Sequence, residues 1–144
     1  MRIMGLDYGE KRIGVAVSDP LGLTAQGISV ISYSSLDQAL QEIEALCNEY
    51  AIEKIVVGNP YNMDGSRGRA SEKAEGFALR LKEALSIEVD LIDERLSSIS
   101  AEKVLLSGDL SRGKRRKVKD KLAAVLILEQ YLTRIKRQEV LDNE

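Results

Sequence analysis

The spacing of apolar residues changes once along this chain of 144 residues, and that change restricts the folds open to it. Up to residue 32, short apolar runs alternate with turn sequences such as Asp7-Tyr8-Gly9 and Asp19-Pro20-Leu21-Gly22. This pattern predicts three strands, over residues 2–7, 12–18 and 25–32, joined by tight turns as an antiparallel meander. From residue 35 onward, helical and extended patterns alternate instead.

The second part of the chain predicts helices that connect strands. Ser35-Leu36-Asp37-Gln38 has the spacing of a capping box, and apolar residues then recur on one helical face as far as Tyr50. A strand over 52–57 follows, then a second amphipathic helix over about 70–85 and a strand over 87–93.

The remaining residues predict two more helices. We expect a short helix from Ser97 or Ser98 to Leu106, a polar loop over 107–114, and a last helix from about Arg116 to Lys136. Because strands joined by a helix run parallel through right-handed crossovers, the order βββαβαβ predicts a mixed five-stranded sheet: three antiparallel strands plus two parallel ones, with helices on its faces. This α/β topology is that of the ribonuclease H-like fold. No repeat or linker composition interrupts the chain, so we expect residues 1–144 to form a single domain.

The composition excludes several kinds of active site. The chain has no His and a single Cys, so it cannot build His-containing catalytic triads, His metal sites or Cys clusters for zinc or iron–sulfur. Cys47 lies on the apolar stripe of the first predicted helix, which favours a core residue over a reactive thiol. Cysteine usage suits a reducing cytoplasm, and the longest later apolar stretch, residues 122–128, is too short to span a bilayer. We therefore expect a cytoplasmic protein with no membrane partner.

Positive charge is concentrated in one segment. Seven basic residues and one acid lie between Arg112 and Lys121, which gives that segment a formal charge of +6; since the whole chain carries −2, the remainder carries −8. Such a block suits a polyanion, because each phosphate that it neutralises releases condensed counterions. A solvated helix face is the alternative interpretation. Asp120 within the block favours phosphate chemistry, because the surrounding positive charge keeps its carboxylate ionised.

Three carboxylates are the candidates for catalysis. Asp7 ends the first predicted strand, Glu94 follows the fifth, and Asp120 lies near the start of the last helix. Sites in open α/β sheets form at the carboxyl ends of the strands, so the three acids are expected to meet there and hold Mg²⁺ or Mn²⁺. Two such ions could activate water for attack on a phosphodiester without any His. Each acid alone has an ordinary alternative: a turn residue, an ion pair with Arg95, or a helix-dipole partner.

Basic residues near these acids are the candidates for phosphate contact. We expect Arg12, Arg95 and the run Lys114, Arg115, Arg116 and Lys117 to bind the nucleic-acid backbone. Gly9 allows backbone to approach a phosphate closely. The segment 64–68 precedes a helix and could bind phosphate too, although a plain turn and cap is the favoured interpretation.

In combination, these motifs resemble the YqgF-type (RuvX) family, bacterial relatives of RuvC-like Holliday-junction resolvases within the ribonuclease H-like superfamily. The resemblance covers residues 1–136 and rests on four blocks in order: Asp7-Tyr8-Gly9 with 12–19; 56–58 with Pro60 and 63–66; 93–98 with Ala101-Glu102; and Asp120 with 123–124 and 127–128. One departure is Asn59, where the family usually has Leu.

The resemblance implies a small cytoplasmic nuclease that processes the 5′ end of the precursor of 16S ribosomal RNA, with Asp7, Glu94 and Asp120 at the family's acidic positions. Two alternatives stay open. One is a Holliday-junction resolvase acting on branched DNA, and the other is a nucleic-acid-binding or assembly factor without turnover. A homodimer is expected only by analogy with resolvases. An ATPase is disfavoured because 144 residues supply one lobe of such a fold.

Overall fold

Five strands and three helices make up the part of the chain that this computed structural model describes, residues 1–62, 64–94 and 112–143, without the side chains of 112–117. In chain order they are β1 (Ile3–Tyr8), β2 (Arg12–Ser18), β3 (Ala25–Ser32), α1 (Leu36–Glu49), β4 (Lys54–Asn59), α2 (Arg69–Leu85), β5 (Glu88–Asp93) and α3 (Arg112–Asp142).

The strands form one mixed sheet in the order β3-β2-β1-β4-β5. β1 pairs antiparallel with β2, and β2 pairs antiparallel with β3. β4 lies parallel to β1 on one side and to β5 on the other. The predicted meander and the predicted parallel crossovers are therefore confirmed.

One face of the sheet packs against α1 and α2 through long aliphatic side chains. Every second residue of the central strands points to this side, as the pleat of a strand requires. Leu6, Val15 and Ile55 are fully buried there with Ile43 of α1. Cys47 belongs to the same core and is 4% exposed, so its predicted core role is confirmed. Burial raises the pKa of its thiol to about 11.

The opposite face packs against α3, and several of its inward residues are small. Ala16 and Val56 contact Ala124 and Leu128 of the helix in a second buried cluster. A Cβ added at Gly5 would lie 2.8 Å from the Cβ of Leu128. The helix thus lies close to the strands because side chains are missing beneath it.

The start of α1 confirms the predicted capping box. The Oγ of Ser35 accepts a hydrogen bond from the backbone N–H of Gln38 (3.2 Å). The amide oxygen of Gln38 accepts in return from the backbone N–H of Ser34 (3.3 Å), one residue before the position that the motif usually supplies.

Several predicted boundaries are wrong. β4 starts at Lys54 rather than at residue 52. It also continues through Gly58 and Asn59, beyond its predicted end, because both residues pair with β5. The last helix begins at Arg112 and ends at Asp142, so residues 112–114 of the predicted loop are helical. Lys and Arg favour helix, and the run of them outweighs Gly113. The helix predicted up to Leu106 and loop residues 107–111 lie outside the described residues. In the described part, no helix is long and apolar enough to cross a membrane.

Candidate active site

Asp7 lies at the carboxyl end of β1, between two glycines on the neighbouring strands. It pairs with Gly14 of β2. On the other side, Leu6 pairs with Val57 of β4, which places Gly58 next to Asp7. Since side chains alternate along a strand, Asp7 shares the α3 face with Gly5. The missing side chains at Gly14 and Gly58 therefore let other parts of the chain approach this carboxylate on both sides.

Asp120 reaches the same place from α3. A Cβ added at Gly14 would collide with the backbone carbonyl of Asp120, so the helix rests directly on the strand that pairs with Asp7. The Nε of Arg12 donates a hydrogen bond to Oδ2 of Asp120 at 3.0 Å. Both side chains are partly buried, 34% and 23% exposed, and the pair ties the start of β2 to the helix.

Glu94 approaches from the opposite side. It follows the last residue of β5, and only 8% of its surface is exposed. A Cβ added at Gly58 would collide with its Oε2 and with the side chain of Ile127. Glu94 thus occupies space that any other residue at position 58 would fill. Its backbone N–H donates to the carbonyl of Asn59 (3.4 Å).

The structure therefore brings the three acids to one edge and one face of the sheet. Within the described residues, however, no three Asp, Glu or Cys side chains form a group that could hold a metal ion as they stand. Asp120 instead binds the guanidinium of Arg12. The metal-binding role of these acids remains a prediction.

Most of the predicted phosphate-binding side chains lie outside the described part of the chain. Arg95 lies outside the described residues, as do the side chains of Lys114, Arg115, Arg116 and Lys117, whose backbone belongs to α3. Among the predicted cations, Arg12 is the one whose side chain is described, and it lies at the acidic edge.

Asn59 is fully buried and links three elements through hydrogen bonds, a role that the sequence did not predict. Its Oδ1 accepts a hydrogen bond from Ser71 (2.6 Å), and its Nδ2 donates to Glu75 (3.3 Å), both on α2. The residue pairs with Asp93 at the end of β5. It holds the ends of β4, β5 and α2 together beneath Glu94. Its departure from the family's usual Leu was the available signal.

Two concave surfaces flank the acidic edge. A cleft of about 510 Å³ lies between the β1–β2 turn and the start of α2, where Arg69 and Lys73 line it with Tyr8 and Gly9. A hollow of about 560 Å³ lies where β3 leads into α1. Its lining residues are Lys11, Arg12, Ser32, Tyr33, Ser34 and Gln38.

Tyr33 anchors the turn that follows Asp7. Its hydroxyl donates a hydrogen bond to the carbonyl oxygen of Gly9, and its backbone N–H donates to the carbonyl of Lys11 (3.2 Å). Burial, with a smaller contribution from Tyr8, raises the pKa of the Tyr33 hydroxyl above its usual value. The hydroxyl therefore stays protonated and keeps the turn in place.

Most of the chain matches a known protein family. Residues 1–134 fit the model of RuvX, described as Holliday junction resolvase. The chain belongs to the RuvX family. Two relatives named "Putative pre-16S rRNA nuclease" come from Clostridium tetani and Syntrophomonas wolfei. They are 52% and 55% identical over 132 residues, which cover 92% of this chain and 96% and 94% of theirs. The family resemblance inferred from the motif blocks is confirmed.

Solved structures support the fold of this RuvX family member. Thermus thermophilus RuvC in complex with a Holliday junction substrate aligns with a TM-score of 0.56 at 12% identity, over 94% of this chain and 96% of RuvC. Fowlpox virus resolvase bound to Holliday junction DNA aligns with a TM-score of 0.57 at 13% identity, over 94% and 99% of the two chains. At such identities the likeness concerns the fold, and it confirms the predicted fold class.

Proposed function

We propose that this RuvX family member is a metal-dependent endonuclease that processes the 5′ end of the precursor of 16S ribosomal RNA in the cytoplasm. The observation that carries the proposal is the approach of Glu94 and Asp120 to Asp7 over the two glycines beside it. The names of relatives about half identical to this chain support the RNA substrate.

The donor set suits Mg²⁺ or Mn²⁺. All three candidate ligands are carboxylates, the hard oxygen donors that these ions prefer. Gly14 and Gly58, which flank Asp7, leave the room that Asp120 and Glu94 use to approach it. Arg12 occupies Oδ2 of Asp120, so a metal at this carboxylate would compete with the guanidinium for that oxygen. When bound, the ion would lower the pKa of a coordinated water and stabilise charge on the phosphate.

The residues of the chain supply the rest of the reaction. Hydrolysis forms a bond between a water oxygen and phosphorus and breaks one ester P–O bond, whose oxygen leaves with a proton. Asp7, Glu94 and Asp120 would hold the metal, and Arg12 would neutralise a phosphate oxygen next to them. The small residues under α3 keep that helix, and with it Asp120, close to the strand ends.

Two other functions have specific support. The description of the RuvX family and the resolvases of similar fold favour branched DNA as substrate. A binding or assembly factor without turnover is favoured by the Arg12–Asp120 pair, which occupies one of the acids. Competition between a four-way DNA junction and the RNA precursor would separate the two substrates. A homodimer, again by analogy with resolvases, would show in sedimentation equilibrium.

The decisive experiment is cleavage of a 16S rRNA precursor with Mg²⁺ or Mn²⁺. We expect Asp7→Asn and Glu94→Gln each to slow cleavage by about a hundredfold or more, since each removes charge that acts on the reacting phosphate. Glu49→Gln is the matched control, because Glu49 is an exposed acid at the last residue of α1, where the chain turns back to the opposite end of the sheet. Wild-type rates in both site variants would show that the assignment is wrong.

A further inference from the structure

The Arg12–Asp120 ion pair joins two residues that the proposed function assigns to different ligands. Arg12 is a candidate for phosphate, and Asp120 is a candidate for metal. In the free protein they neutralise each other at 3.0 Å. Each ligand must therefore compete with the protein's own counter-ion.

Arg12 also belongs to the hollow between β3 and α1. The other residues that line the hollow are Lys11, Ser32, Tyr33, Ser34 and Gln38. The hydroxyls of Tyr33 and Ser34 donate to the carbonyl of Gly9 and to Oε1 of Gln38, so the donors offered to a ligand are the ammonium of Lys11, the hydroxyl of Ser32 and Nε2 of Gln38. No acidic residue is among those lining the hollow in the described part of the chain. Lys11, Ser32 and Ser34 are exposed and face solvent. Cationic and hydroxyl donors without a carboxylate suit an oxyanion such as phosphate.

We propose that this hollow binds a backbone phosphate of the nucleic acid, and that Arg12 moves from Asp120 to that phosphate when nucleic acid binds. The inference rests on the proposed function, because it takes the ligand to be a nucleic-acid strand. Arg12 suits the exchange because it is partly exposed and its guanidinium has several N–H donors. Both positions lie within reach of one side chain, since Arg12 lines the hollow and contacts Asp120.

The exchange makes nucleic acid and metal bind cooperatively. Once Arg12 has turned to a phosphate, the carboxylate of Asp120 is available to a cation at the acidic edge. Coupling between two sites is reciprocal, so nucleic acid raises metal affinity by the same factor by which metal raises nucleic-acid affinity. Typical coupling free energies correspond to about 5- to 150-fold. The metal site would then be completed only on substrate.

The first test measures Mn²⁺ affinity by electron paramagnetic resonance, with and without a short RNA oligonucleotide and with an RNA-only blank. We expect RNA to raise the Mn²⁺ affinity of wild type at least about fivefold. Arg12→Gln should bind Mn²⁺ more tightly without RNA, and RNA should add little to it. Arg80→Gln is the matched control, because it breaks an Arg–Asp pair of the same 3.0 Å length between α2 and α1. Equal Mn²⁺ affinities in wild type and Arg12→Gln, with and without RNA, would overturn the proposal.

The second test examines the hollow without metal. In EDTA, Lys11→Ala should weaken RNA binding and lower the slope of log affinity against log salt by about 1, as loss of one phosphate contact does. Lys11→Arg should restore most of the binding, whereas Lys82→Ala, an exposed cation of α2, should change nothing. Inorganic phosphate is the parallel probe. If wild type binds phosphate as tightly as RNA and Lys11→Ala weakens both equally, the hollow is a site for free phosphate and the nucleic-acid assignment is wrong.

The two proposals can fail separately. If wild type does not cleave the precursor but Lys11→Ala loses salt-dependent RNA binding, the nuclease proposal is refuted and the phosphate site in the hollow stands. The opposite result is also possible. If the protein cleaves the precursor, Lys11→Ala binds RNA like wild type and Arg12→Gln leaves Mn²⁺ affinity unchanged, the phosphate site is refuted and the nuclease proposal stands.

Discussion

The two faces of the sheet are built from alternate residues of the same strands, yet they differ in what covers them. The α1–α2 face carries long aliphatic side chains such as Leu6, Val15 and Ile55. The α3 face carries Gly5, Gly14 and other small residues, and α3 lies almost on the backbone. One face supplies most of the buried volume. The other leaves the room at its edge in which three acids approach each other.

This contrast separates stability from function along each strand. On the α1–α2 face, a residue matters through the apolar area that it buries. At Gly5, Gly14 and Gly58 on the α3 face, a residue matters by being small, because an added Cβ would collide with the helix that carries Asp120. Adjacent residues of one strand should therefore respond to substitution in different ways.

The largest expected effect comes from the aliphatic face. Ile55→Ala should lower the free energy of unfolding by about 2–5 kcal/mol, because it leaves a cavity in a fully buried core. Urea denaturation measures the change. Cleavage per folded molecule should stay near wild type, since Ile55 lies toward the start of β4, away from the acids. A selective loss of cleavage would mean that the two faces do not separate in this way.

The next effect tests the α3 face. Gly14→Ala should lower the free energy of unfolding by about 1–3 kcal/mol through overpacking, because its Cβ would collide with the carbonyl of Asp120. Displacement of the helix should also move Asp120 away from Asp7 and slow cleavage. Gly76→Ala is the matched control: nothing lies within 4 Å of its added Cβ, and Ala in the interior of α2 should add up to about 1 kcal/mol. Equal effects of the two substitutions would show that the close approach of α3 to Gly14 does not determine stability or cleavage.

The smallest effect concerns a charge held under α3. Oδ2 of Asp90 lies 2.9 Å from Nζ of Lys54 and accepts a hydrogen bond from the hydroxyl of Tyr131 at 3.0 Å. Burial raises the pKa of Asp90, but these hydrogen bonds outweigh burial and hold the pKa below its usual 3.8. Asp90→Asn should therefore cost about 0.5–1 kcal/mol at pH 7.

The pH dependence has a definite sign. Because the folded pKa of Asp90 is depressed, its contribution is present above the unfolded value of 3.8 and is lost as pH falls through the folded value. The difference between wild type and Asp90→Asn in urea denaturation should shrink accordingly below pH 4. Glu88→Gln is the control, since that carboxylate is 66% exposed and 3.6 Å from the same lysine. A difference that does not change with pH would argue against the ionised pair.

Local patterns predicted much of the fold. The bounds of β2 and β3 were predicted correctly, since turns mark both ends of β2 and the start of β3. Ser35 caps the start of α1, as its capping spacing indicates. The end of β4 was missed because Gly58 and Asn59 resemble a turn in isolation. Only pairing with β5 makes them a strand. The local pattern of β4 does not contain that pairing, because the partner residues lie later in the chain, in β5.

The candidate site divides in the same way. Strand order alone predicted that Asp7 and Glu94 lie at one edge, because parallel strands end together. The spacing of residues could not reveal that Arg12 binds Asp120, since that contact depends on where α3 crosses the sheet. Nor did the sequence indicate that Asp120 lies against Gly14 and Glu94 against Gly58.

The Arg12–Asp120 contact spans 108 residues of chain, and this has a consequence for biosynthesis. A ribosome adds about 5–20 residues per second, so Arg12 waits on the order of 5–20 seconds before its partner is even made. The hairpin of β1 and β2 forms from local contacts early, but the acidic edge assembles only after nearly the whole chain has been synthesised. During translation, the nascent chain therefore has a sheet before it has a site.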